Sequence, residues 1–218
     1  MPSDRPVAKL STMPHYMVDV ETLSRSPRAA IVGIGGVKFN PWTDEVSRPF
    51  SVAIDIVDVI NQGFNIQGET VTWWIERAEA WKTWRAAHVP TSPLNAARAF
   101  YKWIADEIPI SEEMVVWAFG SAFDIPILEN FLSRTGTRIP WKYYNVFCAR
   151  TVVKLAEFGG NADWELMSTK EPLYGVCKHD PLRDACVQAR AAQYSLQKLV
   201  GCKFQEDVLH GMEKVPRV

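Results

Sequence analysis

The chain has 218 residues, a formal net charge of −1, and 47% hydrophobic against 22% charged residues. That length fits one large domain better than two small ones, and the balance is that of a globular protein able to bury a sizeable core. Near-neutral charge excludes a histone-like or long-duplex binder, but not a protein that grips a few nucleotides at a strand end with a local basic surface.

Residues 1–14 carry three prolines and no periodicity, and read as a loose tail. The character changes at His15, where His15-Tyr16-Met17-Val18-Asp19-Val20 is a short β-favouring run. Ala29 to Phe39 makes a second strand and Arg48 to Ile54 a third, an arrangement that predicts an antiparallel meander. Gly33-Ile34-Gly35-Gly36 lies inside a strand pattern with no helix after it, so it predicts a β-bulge or a close backbone approach, not a phosphate loop.

The pattern then changes to a period of 3.6. Glu69 to Ala87 predicts one or two helices, and Ser92 to Ile108 another, with Ser92 as N-cap and Pro93 at the first helical position. Met114 to Phe119 is apolar throughout, as expected of a central strand buried on both faces. A helix is expected from about Asp124 to Arg134 with Pro126 in its first turn, and a further helix over Cys148 to Phe158. Residues 159–178 read as loop. Asp180-Pro181 opens a last helix to about Leu199, stopped by Gly201, and 202–218 read as a C-terminal tail. The fold class expected is a mixed-sheet α/β domain over 15–201, with helices packed on the sheet.

Three carboxylate elements interrupt this pattern. Asp19 stands between valines in a strand that should be buried, and Glu21 shares its face, about 7 Å away along the backbone at ~3.3 Å per residue. Two carboxylates so placed repel each other unless a cation neutralises them, although an edge strand with a wet face would also accommodate the pair. Asp124 follows the buried strand at a helix start, where open α/β sheets gather their active residues, and where an ordinary dipole-complementing Asp would also stand. His179 precedes the cap of the last helix and Asp184 falls in its first turn, so both reach one small volume. Each element alone has an ordinary explanation. Nothing in folding requires all three in this order.

Val18-Asp19-Val20-Glu21-Thr22, Ser121-Ala122-Phe123-Asp124 and His179-x4-Asp184 together resemble the three motifs of the DEDD exonuclease superfamily, in its His-containing (DEDDh, DnaQ-like) branch. The Tyr-containing branch fits less well, since Asp180 occupies the position four residues before Asp184. Thr70-Val71-Thr72-Trp73-Trp74 further resembles the T-x-x-W-W element of phage DexA-type exonucleases and RNase AS-like exoribonucleases. One departure is Ser121, where many relatives of this branch carry Asn.

The resemblance implies an RNase H-like mixed sheet and a two-metal 3'–5' exonuclease releasing nucleoside 5'-monophosphates from single-stranded 3' ends. DNA is the favoured substrate and RNA the alternative. It implies that Asp19, Glu21, Asp124 and Asp184 hold two Mg²⁺ or Mn²⁺, with Asp19 bridging, and that His179 is the general base. It places Thr22 and Leu23 beside the terminal nucleotide, with Leu23 as a wedge, and makes Phe123, Trp73 and Trp74 substrate-binding candidates. Residues 131–154 hold Arg134, Arg138, Lys142, Arg150 and Lys154 without an acid, interleaved with Trp141, Tyr143, Tyr144 and Phe147. They form either a single-strand track or a solvated face.

A non-catalytic nucleic-acid-binding domain and an internally cutting integrase-like enzyme are the rival readings. The first would tolerate loss of a catalytic position, and the second would lack His179-x4-Asp184. The oligomeric state stays open, a homodimer being one option. Cys148, Cys177, Cys186 and Cys202 form no CxxC pair and read as free thiols in a reducing compartment. No apolar run approaches ~18 residues, and the N-terminus lacks the apolar stretch of a secretory signal. A cytoplasmic location without membrane contact is therefore expected, in the bacterial cytoplasm if the chain is phage-encoded.

Overall fold

A computed structural model of the protein describes residues 12–106, 113–158 and 174–201. The expected tails over 1–11 and 202–218, the loop over 159–173, and the end of the expected helix at 107–108 lie outside the described residues. Five strands form one mixed sheet: β1 (His15–Thr22), β2 (Ile31–Phe39), β3 (Val46–Ala53), β4 (Val115–Ala118) and β5 (Val146–Cys148). Their spatial order is β3-β2-β1-β4-β5. The first three pair antiparallel as a meander, while β4 is parallel to both β1 and β5. All four residues of β4 are buried, as its unbroken apolar run requires of a strand covered on both faces.

Seven α-helices are described: α1 (Ile56–Asn61), α2 (Gly68–Ile75), α3 (Ala78–Ala86), α4 (Pro93–Ala105), α5 (Ser121–Arg134), α6 (Ala149–Phe158) and α7 (Pro181–Gly201). Ser92 caps α4 by accepting from the Asn95 amide at 3.3 Å, with Pro93 at the first position. The expected helix over 69–87 is two, α2 and α3. Helix α1 was not expected: Ile56, Val57, Val59 and Ile60 are β-branched, but Asp55 accepts from the Asp58 amide at 2.9 Å and starts a helix. Strand β5 was also unexpected. It has three residues and owes its existence to β4 beside it.

Helix α5 begins at Ser121, three residues before the expected start, because Gly120 takes φ +114 and turns the chain directly out of β4. Pro126 therefore lies inside the helix and not in its first turn, and the bond from residue 126 to the carbonyl four residues back is lost.

Alternation along β1 sorts its side chains into two cores. Tyr16, Val18 and Val20 face Phe100 and Trp103 of α4 and Leu128 and Phe131 of α5. Met17 faces the other way, into a core with Val37, Val115, Trp117 and the small residues Ala185, Ala189 and Ala192 of α7. Asp19 and Glu21 continue the Met17 face, so they emerge under α7. Among the described residues no helix is long and apolar enough to cross a membrane.

Candidate active site

Asp19 stands opposite Gly35 and Glu21 opposite Gly33 in the β1–β2 ladder. Gly35 has no side chain because the first turn of α7 rests there: a Cβ would sit 2.1 Å from the Pro181 carbonyl carbon. Gly33 and Gly36 similarly receive the rings of Trp84 and Trp103. The glycine run is thus the close backbone approach expected from sequence, and a register shift between Gly36 and Lys38 adds a bulge. Contact at Gly35 sets the start of α7 directly over the acidic end of β1.

Asp180 caps α7. Its buried carboxylate accepts from the Val176 amide at 2.7 Å and the Leu182 amide at 2.9 Å. Asp184 follows in the first turn. His179 enters the cap with φ +65, a left-handed conformation uncommon outside glycine, which turns its ring back against Trp73 at 4.9 Å and Trp74 at 6.1 Å between centroids, both edge-on. Trp74 is itself fixed by donating its indole N–H to the Thr22 carbonyl at 3.0 Å. Ligand atoms of Glu21, His179 and Asp184 all lie within 4.8 Å of one another.

Asp124, from the first turn of α5, is buried and accepts from the Val20 amide, which anchors it to β1 between Asp19 and Glu21. Asp19 accepts at Oδ1 from the Gln188 amide at 2.8 Å. The structure therefore brings Asp19, Glu21, Asp124, His179 and Asp184 to one place, at the ends of β1 and β4 and the starts of α5 and α7.

Their electrostatics are those of a site short of positive charge. Burial, then the charges of Asp124 and Asp184, holds the Asp19 carboxyl well above the usual carboxylate range. Glu21 is raised likewise by burial and then by Asp19. Burial lifts Asp124 to about 7 against the opposing pull of the Val20 amide, and lifts Asp184 to about 6 against Arg183, whose guanidinium lies 3.8 Å away. His179 moves down from its ordinary value through burial and the nearby charges of Lys178, Arg77 and Arg183. Four converging carboxylates, all oxygen donors disfavoured as anions, fit hard divalent cations such as Mg²⁺ or Mn²⁺.

Beside Glu21 opens a cavity of about 460 Å³ lined by Val20, Glu21, Thr22, Arg25, Glu69, Thr70, Trp73, Trp74 and Phe123. Of the expected substrate residues, Thr22, Phe123, Trp73 and Trp74 line it. Leu23 does not. A register shift between Glu21 and Thr22 breaks the alternation, and Leu23 packs into the core at 7% exposure, where it forms no wedge in this conformation.

Arg25, Glu69 and Gln188 were missed. Gln188 had the one available signal, its place one helical turn after Asp184.

The basic segment over 131–154 does not form one strip. Arg134 donates to the Gly63 and Gln62 carbonyls and lies over Phe64, Trp141 is buried and donates to Glu129, and Lys154 pairs with Glu157.

Similar folds occur among solved structures. The nuclease domain of 3'hExo, a DEDDh family member bound to rAMP, aligns with TM-score 0.52 at 15% identity, covering 87% of this chain and 93% of that one. A 3'-exonuclease recognising the 3' end of histone mRNA stem-loop aligns with TM-score 0.50 at 15% identity over 87% and 83%. E. coli exonuclease I with a dT13 oligonucleotide aligns with TM-score 0.50 at 12% identity over 92% and 43%. At such identities the likeness establishes the fold alone, which is RNase H-like. A comparison with curated proteins finds no match.

The fold and the three motifs define a 3'–5' exonuclease of the DEDDh type. More narrowly, the chain belongs to the Rv2179c-like 3'-5' exoribonuclease domain family, which it matches over residues 14–196.

Proposed function

We propose that the protein is a metal-dependent exonuclease that removes nucleoside 5'-monophosphates one at a time from the 3' end of single-stranded RNA, in a cytoplasm. The observation that carries this reading is the convergence of buried Asp124, half-buried Asp19, Glu21 and Asp184, and His179 beside a cavity of about 460 Å³ walled by Trp73, Trp74 and Phe123. RNA, and not the DNA favoured from sequence, is proposed on the description of the matched family.

Asp19, Glu21, Asp124 and Asp184 would hold the divalent cations, Mg²⁺ or Mn²⁺. Such cations, when bound, lower the pKa of water and stabilise the departing 3'-oxygen. Glu21 and Asp184, together with Asp19, orient the attacking water. His179 accepts its proton at an imidazole nitrogen, which its lowered pKa keeps free at neutral pH. Trp73 and Phe123 offer ring faces for the terminal base, and Thr22 lies where the sugar would meet the end of β1.

The test is degradation of matched RNA and DNA oligonucleotides carrying a free 3' end, a blocked 3' end or a blocked 5' end, with Mg²⁺ or Mn²⁺ supplied after chelation. Stepwise loss from free 3' ends of RNA, faster than from DNA, is expected. Cleavage of 3'-blocked or circular strands, or a requirement for zinc, would refute the reading. Faster loss from DNA would refute the substrate assignment alone.

A further inference from the structure

Gln188 lies four residues after Asp184 on α7, so both side chains leave the same face of the helix one turn apart. That face is pressed onto the sheet by the contact of Pro181 and Leu182 with Gly35, the residue paired with Asp19. There the Gln188 amide nitrogen donates to Asp19 Oδ1 at 2.8 Å, bridging 169 residues of sequence. The other end of the same amide is in a poor position. Gln188 Oε1 is buried and has no hydrogen-bond partner. An acceptor buried and unpaired is a net cost, so packing would favour Leu or Met at this position over Gln. What the amide gains is its single bond to Asp19.

We propose that Gln188 is a positioning residue that holds the Asp19 carboxylate in the orientation needed to ligate cations; this rests on the reading of Asp19 as a metal ligand. The torsion that rotates a carboxylate is broad and soft, and a hydrogen bond at Oδ1 narrows it. Oδ2, and the lone pairs of Oδ1 not used by Gln188, remain for a cation. An uncharged donor suits this task. A lysine would neutralise Asp19 and compete with the metal, whereas an amide orients the oxygen and leaves its charge intact. Asp184 and Gln188 thus divide one helix face between them, the first supplying a ligand and the second bracing the ligand opposite.

The experiment measures Mn²⁺ binding to the chelator-treated full chain without nucleic acid, by electron paramagnetic resonance and by the metal-induced rise in melting temperature. Gln188→Leu should raise the Mn²⁺ concentration for half-saturation by about 10- to 100-fold, the range typical of residues that orient metal ligands. Its melting temperature without metal should not fall, because the unpaired Oε1 is removed with the amide. Gln188→Met is read the same way should the Leu variant fold poorly. Unchanged Mn²⁺ half-saturation in a folded variant would overturn the proposal, and so would a lower metal-free melting temperature accompanied by unchanged affinity. A parent protein that binds no Mn²⁺ would instead refute the metal site itself. Binding by the parent without exonuclease activity would refute the proposed function and leave the role of Gln188 standing.

Discussion

Gly35→Ala should cripple the enzyme through a single methyl group that touches no substrate. A Cβ at Gly35 would lie 2.1 Å from the Pro181 carbonyl carbon and 2.2 Å from the Leu182 nitrogen, both backbone atoms in the first turn of α7. No rotamer change can relieve that clash. The helix start must retreat by roughly 1.3 Å to reach the 3.4 Å of ordinary contact. Overpacking of this kind costs about 1–3 kcal/mol, which for a domain of this size lowers the melting temperature by about 2–12 °C. The retreat carries Asp184 and Gln188 away from Asp19. Misplacement of about 1 Å at a reacting centre costs on the order of 10²-fold in rate. The assay is kcat on a single-stranded oligonucleotide, with Mn²⁺ half-saturation and thermal melting measured in parallel. Gly68→Ala is the control, since a Cβ there meets nothing within 4 Å, and it should be neutral or stabilising. Parental kcat and Mn²⁺ affinity in Gly35→Ala would refute the claim that this contact sets the site.

Asp19→Ala or Asp184→Ala should abolish turnover while the metal-free protein melts no lower than the parent, because each removes a carboxylate that burial and its neighbours disfavour; full turnover in either variant would dismiss the ligand assignment. The pH dependence has a definite sign. Carboxyls whose folded pKa is raised stabilise the fold at low pH, and that contribution is lost as pH rises through their folded values, about 6 for Asp184 and about 7 for Asp124. Melting of the metal-free protein should therefore weaken from about pH 4 to above pH 7, and saturating Mg²⁺ should reverse the trend; a rising metal-free stability over that window would contradict it. His179→Ala should lower kcat by about 10²–10⁴-fold at nearly unchanged KM and remove the parent's rise in rate with pH, whose inflection should fall below the ordinary value of 6.5. If instead the variant loses Mn²⁺ affinity, His179 is the third ligand that its closeness to Glu21 and Asp184 permits, and not the base.

What sequence reveals here follows the range of the interactions involved. Asp19 and Glu21 are legible because a charged pair inside an apolar strand violates a local rule, and α4 is legible because Ser92 and Pro93 signal a start within the chain itself. The Gly33–Gly36 run is half legible. The strand pattern shows that something must approach it, but not that α7, some 145 residues later, does so. Leu23, which the resemblance places as a wedge, packs into the core instead, because the chain shifts register between Glu21 and Thr22 and that shift depends on the partner strand. Strand β5 and the hydrogen bond from Gln188 to Asp19 exist only in the assembled fold; the spacing from Asp184 puts Gln188 on the right helix face but does not show that Asp19 lies opposite.

The fold also explains how this chain tolerates four carboxyl groups crowded together. Apolar packing is provided away from the carboxylates, by one core of large rings and aliphatics between the sheet and α4 and α5, and by another where alanines of α7 lie close on β1 and β2. Neither core includes Asp19, Glu21, Asp124 or Asp184, so repulsion among them is carried by a scaffold that does not depend on them. The acid cluster is nonetheless held by fixed parts: the Val20 amide on Asp124, the Asp180 cap below Asp184 and the Gln188 amide on Asp19. A loose cluster would relax apart and relieve its repulsion without a cation. Under the proposed function, carboxylates held rigidly together would have their repulsion relieved by a divalent ion, so the same rigidity would contribute to affinity for the metal.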